Sequence, residues 1–506
     1  MSTILQSNQM PPQAPAGELC SELLLAIFSL TANMHDVSEG RIPAVDTLRR
    51  ISQVCSQWRA FMLDSPQLWR RVINLSRLAN SPEWLKEVIR RTNGFSLFVK
   101  VHHLQHGSST RGDRFARSQL ERYWSKVEYL DLNTNSTRLE RTDDAASWCH
   151  LLTRPSNLRQ LRFNSPVNAQ DLFPAMLPGL FPNLETIDLS ESPKSFIGNV
   201  GRNSEWNLPS VDFPSLKRIK VQMYWPMSIP TVLEILQNVT PKRGCVLHFL
   251  VSLSHDFQVD VDPQLFTNVL PKYLQCASPT ICLPSYNKAV VTLTQRVIDL
   301  QIQASDQGSS RDDDFRFNID CEMFNLDDII PTVVSCFRSF QFDRVEKLSL
   351  VVHILQPESA IGALQDIDRV FPSITHLKVD GSTLDNIRIF QDSVDYVVFS
   401  MLRTITALRC TAQSIKMLLE SRTAKGASVD SVAFSIRPDQ MADIAVLHGF
   451  SGLTLNLLTA EDQVGLVVKV AWCVSMSNVD PSFIHSNSSQ IWWQEPLIHF
   501  SQQLWI

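Results

Sequence analysis

The chain has 506 residues, 44% of them hydrophobic and 19% charged, a composition that belongs to folded proteins and excludes both a disordered chain and a single small domain. Its formal net charge of −5 is small for this length and gives no electrostatic ground for nucleic acid or an anionic membrane surface as a partner. The cysteines at 20, 55, 149, 245, 276, 282, 321, 336, 410 and 473 form no Cys-x-x-Cys pair and read as buried free thiols of an intracellular protein, cytoplasmic or nuclear.

In chain order, residues 1–16 are rich in Gln, Pro and Ser, lack the basic-then-apolar layout of a secretory leader, and are expected to be a disordered tail. From Glu18 the pattern changes. Leu19, Leu23 and Ile27 recur at four-residue steps, with Leu24 and Phe28 one position on, which is the stripe of an amphipathic helix. A polar connector with Gly40 and Pro43 follows. Leu48, Ile51, Cys55, Trp58 and Met62 then mark one face of a second predicted helix, and Val54 and Phe61 widen that face past half the circumference. A helix that apolar must touch something on two sides. Ser65-Pro66-Gln67-Leu68-Trp69 supplies an N-cap serine, a proline at the first helical position and two large apolar residues.

The order Leu-x-x-Glu-Leu-Leu-x-x-Ile-Phe from Leu19 to Phe28, then Val54-Cys55-x-x-Trp58, then Leu68-Trp69, resembles the F-box, a short helical module that docks on the Skp-type adaptor of cullin ubiquitin ligases. Mushroom-type fungal members of the family look particularly similar, through Leu-Arg-Arg-Ile-Ser-Gln-Val-Cys-Ser-Gln-Trp-Arg and Ser-Pro-Gln-Leu-Trp. Cys20 stands where the family usually has proline, and the connector from Thr31 to Asp46 is longer than usual. The resemblance assigns Leu19, Cys20, Glu22, Leu23, Ile27, Val54, Cys55 and Trp58 to the adaptor side. It places the module over 17–75.

Beyond it, Val72–Ser76 is a strand candidate, Ser81-Pro82 opens a helix that Asn93-Gly94 stops, and Phe95–Val101 alternates as a strand. A unit of the form apolar-x-x-apolar-x-apolar then recurs: Val127–Leu132, Leu158–Phe163, Leu184–Leu189, Leu216–Val221, Val246–Val251, Val345–Leu350, Ile374–Val379 and Ile405–Cys410. The first five start 31, 26, 32 and 30 residues apart and the last three 29 and 31, which is room for one strand and one helix each. Phe181-Pro182, Phe213-Pro214 and Phe371-Pro372 introduce three of them, the proline ending the preceding helix. These units resemble irregular leucine-rich repeats, so residues 76–506 are expected to form an α/β solenoid. The other reading is an ordinary α/β domain whose strands match a loose pattern. The stretch 252–342 fits worst, with Val297–Ile302 its clear match. Trp492, Trp493, Phe500 and Trp505 read as a terminal cap over the last repeat or as an aromatic docking surface.

Chemistry is sparse. His102, His103 and His106 have no carboxylate or cysteine at ligand spacing, Asp312–Asp314 is a charge run without a ligand loop, and Gly449-Phe450-Ser451-Gly452 lacks nucleophile-elbow spacing. The sequons at Asn135, Asn238 and Asn487 read as chance matches. No phosphate loop, zinc-protease or dinucleotide motif occurs, so no cofactor, no metal and no enzymatic activity are expected. The F-box resemblance implies a substrate receptor of a ubiquitin ligase, with a Skp-type adaptor, a cullin and an unknown target protein as partners. The alternative is an adaptor-independent interaction scaffold whose N-terminal helices cap the solenoid.

Overall fold

The computed structural model describes residues 19–31, 44–78, 81–101, 115, 118–132, 150–163, 176, 179–190, 210–224, 228–253, 262–281, 286–303, 315–321, 329–338, 340, 342–354, 356–435, 446, 447, 449, 450, 452–458 and 468–470. The N-terminal tail, most of the 31–46 connector, the three histidines, Asp312–Asp314, Ser451, Asn135, Asn487 and the C-terminal tryptophans lie outside them. The chain divides into two compact units, Met1–Asn164 with Gly179–Leu184, and Ser165–Pro178 with Glu185–Gln503.

In the first unit, α1 (Ser21–Thr31) begins after Cys20, whose carbonyl accepts the Leu24 N–H at 3.1 Å. The single helix expected through Leu48–Met62 is instead two, α2 (Ala44–Ile51) and α3 (Ser56–Leu63). The break has a local cause. The Ser52 hydroxyl bonds the Arg49 carbonyl at 2.7 Å, Gln53 and Val54 close tight i to i+3 bonds, and Cys55 turns extended (φ −152°, ψ 165°) so that its Sγ receives the Trp58 N–H at 3.4 Å. Cysteine thus takes the N-cap position that Ser or Asp usually fills. Ser65 precedes Pro66 at the start of α4 (Pro66–Trp69), but its hydroxyl bonds back to the Phe61 carbonyl rather than capping α4.

The strand expected over Val72–Ser76 is shortened to β1 (Ile73–Asn74), because Leu75–Leu78 forms α5. Helix α6 (Pro82–Arg91) ends as expected: Asn93 and Gly94 adopt φ of 48° and 79°, the left-handed conformation that terminates a helix. Strands β1, β2 (Leu97–Val101), β3 (Val127–Leu132) and β4 (Gln160–Phe163) pair in parallel in chain order. Asp131 on β3 is buried between Lys100 and Arg162, its in-register neighbours, with Lys100 Nζ 3.7 Å from its carboxylate. Burial pulls the Lys100 amine below its ordinary value, and Asp131 opposes that.

In the second unit the strands are β5 (Thr186–Ser190), β6 (Val211–Asp212), β7 (Arg218–Met223), β8 (Val239–Thr240), β9 (Val246–Leu253), β10 (Lys288–Thr294), β11 (Val297–Gln303), β12 (Phe315–Cys321), β13 (Lys347–His353), β14 (His376–Asp380), β15 (Thr404–Leu408), β16 (Ser431–Ser435), β17 (Thr454–Leu458) and β18 (Val468–Val470). The helices are α7 (Ser228–Asn238), α8 (Pro263–Ile281), α9 (Ile330–Phe337), α10 (Pro357–Val370), α11 (Gly381–Ser393) and α12 (Ala412–Ala424). Apart from a short β6–β8 pair, the strands form a sheet in the order β5-β7-β9-β12-β11-β10-β13-β14-β15-β16-β17-β18.

The apolar triplets of the repeat units are buried, as at Leu216, Ile219 and Val221 or Ile374, Leu377 and Val379, because they face the helices while the alternate residues face away. Two expectations fail. First, in 252–342, the stretch that fits worst, the Val297–Ile302 match is not a parallel repeat strand. From β9 the chain passes through α8 to β10, three places further out, then folds back through β11 to β12, which pairs with β9. Strand β11, the Val297–Ile302 match, therefore runs antiparallel to both neighbours, and the simple one-strand, one-helix succession fails there. An alternating apolar pattern reads the same in either direction, so it carries no information on polarity. Second, Ile405–Cys410 is out of phase by three residues. Leu377 aligns with Ile405 and Val379 with Ala407, so the unit is Leu402-x-x-Ile405-x-Ala407; Leu408 points to the other face. Val429-x-x-Val432-x-Phe434 is one more such unit, buried in the same phase on β16.

The phenylalanine turns hold and extend. The carbonyls of Phe181 and Phe213 accept the N–H three residues on at 3.2 and 3.1 Å, and Phe342 and Phe399, which lack the proline, do the same to Val345 and Leu402. Phe342 stacks on Phe371 with ring centroids 5.5 Å apart. The buried ring, rather than the proline, is the shared feature.

Candidate docking face of the N-terminal helices

Helix α1 is apolar on two sides and uses them differently. Leu24 and Phe28 point inward, where the Phe28 ring meets Trp58 at 5.2 Å and Phe61 at 5.9 Å, centroid to centroid. On the other side Leu23 is 52% exposed, Ile27 42% and Leu30 77%, a stripe at i, i+4 and i+7 that Leu19 extends backward. Val54, 63% exposed, sits in the turn that leads into α3, and Leu63 is exposed at its end. Isolated exposed leucines are ordinary, but a contiguous row on one helix marks an interaction face.

The eight residues assigned by resemblance fall in two groups. Leu19, Cys20, Glu22, Leu23, Ile27, Val54 and Cys55 are exposed. Trp58 is half-buried, and its Nε1 is enclosed without a hydrogen-bond partner among the described residues. It joins α3 to α1 through Phe28 and so belongs partly to the core. The first turn of α1 is set by Glu22, whose own backbone N–H and the Cys20 side chain bond its carboxylate and hold it below the usual carboxylate range. Cys20 precedes the first helical residue, where the N–H needs no intrahelical acceptor, so cysteine fills the usual proline position without disturbing the helix. Leu30 and Leu63 were not singled out from the sequence. Leu30 was legible as the next step of the α1 stripe.

Behind this face the core is rigidly tied. Trp69 is fully buried, donates its indole N–H to the Met62 carbonyl at 2.7 Å, and meets Trp84 edge-on at 6.0 Å. The Arg91 guanidinium lies 4.5 Å from the Trp69 ring centroid.

Elsewhere the described residues hold no group of three or more His, Cys, Asp or Glu placed to bind a metal, and no helix among them is long and apolar enough to cross a membrane. A crevice in the second unit between β10–β11 and α9–α10 is lined by apolar side chains such as Leu300, Val334, Phe337 and Phe371. Burial pushes the Cys245 thiol to about 12 and those of Cys336 and Cys410 to about 11, which leaves them protonated and unreactive.

Compared with known protein families, residues 18–74 match the F-box-like family, a stretch that covers α1 through β1. A search of curated proteins gives no match. The N-terminal helices are thus an F-box-like domain, the class of module that typically binds Skp-type adaptors, followed by a large sheet-rich remainder.

Proposed function

We propose that the protein is a substrate-receptor subunit of a Skp–cullin–F-box ubiquitin ligase. The observation that carries this is the coincidence of the F-box-like match over 18–74 with an uncovered apolar stripe on α1. Leu19, Leu23 and Ile27 insert into the adaptor, Val54 and Trp58 flank them, and Cys20, Glu22 and Cys55 fix the ends of the two helices. Each large apolar side chain that passes from water into the interface contributes about 1.5 to 3 kcal/mol.

The chain carries no catalytic step of its own. The cullin brings the ubiquitin-charged enzyme, and the sheet-rich remainder, read as leucine-rich-repeat-like units behind a module that resembles mushroom-type fungal F-boxes, holds the target protein. Bringing target and enzyme together raises their effective concentration. This mode of action needs neither cofactor nor metal and fits a cytoplasmic or nuclear protein. Affinity purification of the tagged full chain from a eukaryotic lysate tests it: the expected result is a Skp-type adaptor and a cullin in near-equal amounts, and absence of both overturns it.

A further inference from the structure

On the side of the second sheet that faces away from the helices, alternate residues of neighbouring strands line up in rows. Two cations in such rows have carboxylates nearby. Lys220 is opposite Asp188, and Arg316 lies within electrostatic reach of Asp299. In the first unit Asp131 separates Lys100 from Arg162.

Strands β10, β13 and β14 depart from this. Lys288 is opposite Lys347, Lys347 is opposite His376, and Lys378 follows two residues on along β14, on the same face. Lys347, His376 and Lys378 are exposed and Lys288 is half-buried. None of the three lysines has a side-chain hydrogen bond or ion pair among the described residues. No Asp or Glu occupies the two rows that hold them anywhere from β11 to β17. In the next row Asp299 and Asp380 are engaged by Gln301 and by His353 and Thr383, and Glu346, the exposed residue before Lys347, forms no ion pair among the described residues.

Neighbouring strands are about 4.8 Å apart and same-face residues about 6.7 Å, so the four bases rise from a patch about 10 Å across. Like charges directly opposite one another destabilise a sheet. A patch that carries this cost with no ion pair to any of its lysines suits an anion supplied from outside.

We propose that the Lys288–Lys347–Lys378 patch receives an extended acidic segment of a partner protein. This rests on the receptor reading above and gives the chemistry of its target. A peptide fits better than a nucleic acid: the two rows contain no Phe, Tyr or Trp for base stacking, the patch is local rather than a stripe, and the whole chain is acidic. The small Ser349, Thr404 and Thr406 beside the lysines leave room for an extended strand.

The test is a fluorescence-anisotropy titration of labelled octaglutamate against the full chain, with adaptor capture measured on the same samples. The expected result is binding that weakens about tenfold or more in the triple variant Lys288→Gln, Lys347→Gln, Lys378→Gln and also with added salt. A charge-matched control, Lys86→Gln, Lys242→Gln, Lys416→Gln, should bind as the parent does. If the triple variant does not give a normal thermal unfolding transition, the single Lys347→Glu variant is read instead. Unchanged binding in these variants overturns the proposal, as does a labelled oligonucleotide of equal charge that binds as tightly and displaces the peptide. Peptide binding without adaptor capture would refute the receptor reading and leave this surface standing; adaptor capture without peptide binding would do the reverse.

Discussion

The Phe28 ring stands edge-on to the Trp58 indole, with centroids 5.2 Å apart and planes at 69°, and this contact joins the two helices that carry the proposed docking face. It separates two kinds of residue on α1. Phe28→Ala removes a side chain that is 1% exposed and should cost about 3 to 5 kcal/mol of stability. Leu23→Ala should cost under about 1 kcal/mol of stability while weakening adaptor capture. Chemical denaturation beside a pull-down reads both; equal loss of stability in the two variants would mean that the stripe is core.

Trp58 should behave as a mixture. Trp58→Ala is expected to lose about 2 to 4 kcal/mol, divided between local stability and adaptor binding, because its ring packs on Phe28 while part of it stays open. A loss confined to stability would remove it from the docking set.

Asp131 is buried between two cations, so Asp131→Asn takes the shared carboxylate away from Lys100 and Arg162. The expected cost is about 3 to 5 kcal/mol, measured by thermal unfolding. A double change that also makes Lys100→Met should recover much of it, since the uncompensated buried charge is then gone.

Glu87 gives the first unit a pH dependence. The Arg90 guanidinium donates two bonds to its carboxylate, Arg91 adds a third, and together they hold it at about 2 against an ordinary 4.5. A depressed carboxylate contributes stability that is present above the ordinary value and is lost as pH falls towards 2. Denaturation at pH 6 and at about pH 3 should show a smaller loss in Glu87→Gln than in the parent; an identical loss would show that the pair contributes nothing.

Gly381, the first residue of α11, is a position where no side chain fits. A Cβ there would lie 2.7 Å from the Arg409 carbonyl oxygen and 3.3 Å from the Cys410 Cα, both backbone atoms. Gly381→Ala should lower stability by about 1 to 3 kcal/mol, and an unchanged melting temperature would contradict the close approach of α11 to the end of β15.

What the sequence made legible was whatever is enforced locally or by burial. The start of α6 at Pro82 and its stop at Asn93-Gly94 follow from backbone conformation alone. The triplets mark strands because the face towards the helices must be apolar. Polarity and phase are less visible. Nothing in Val297–Ile302 shows that β11 runs backward, and Leu408 passed for a core residue because the buried counterparts are Leu402, ahead of β15, and Ile405 and the small Ala407 within it. The break between α2 and α3 stayed hidden because Val54 and Cys55 continue the apolar helical pattern while Cys55 supplies an unusual cap. In the docking face, the stripe of Leu19, Leu23 and Ile27 could be read from spacing; the division of labour between Leu23 and Leu24, one residue apart, could not.

The most direct measurement is a titration of purified Skp-type adaptor into the full chain and into its Leu23→Ala, Ile27→Ala variant, with unfolding of both followed alongside. The account expects near-unchanged stability and an affinity lower by about 100-fold, since each of the two exposed side chains should supply about tenfold. Equal affinity for the two chains would contradict it.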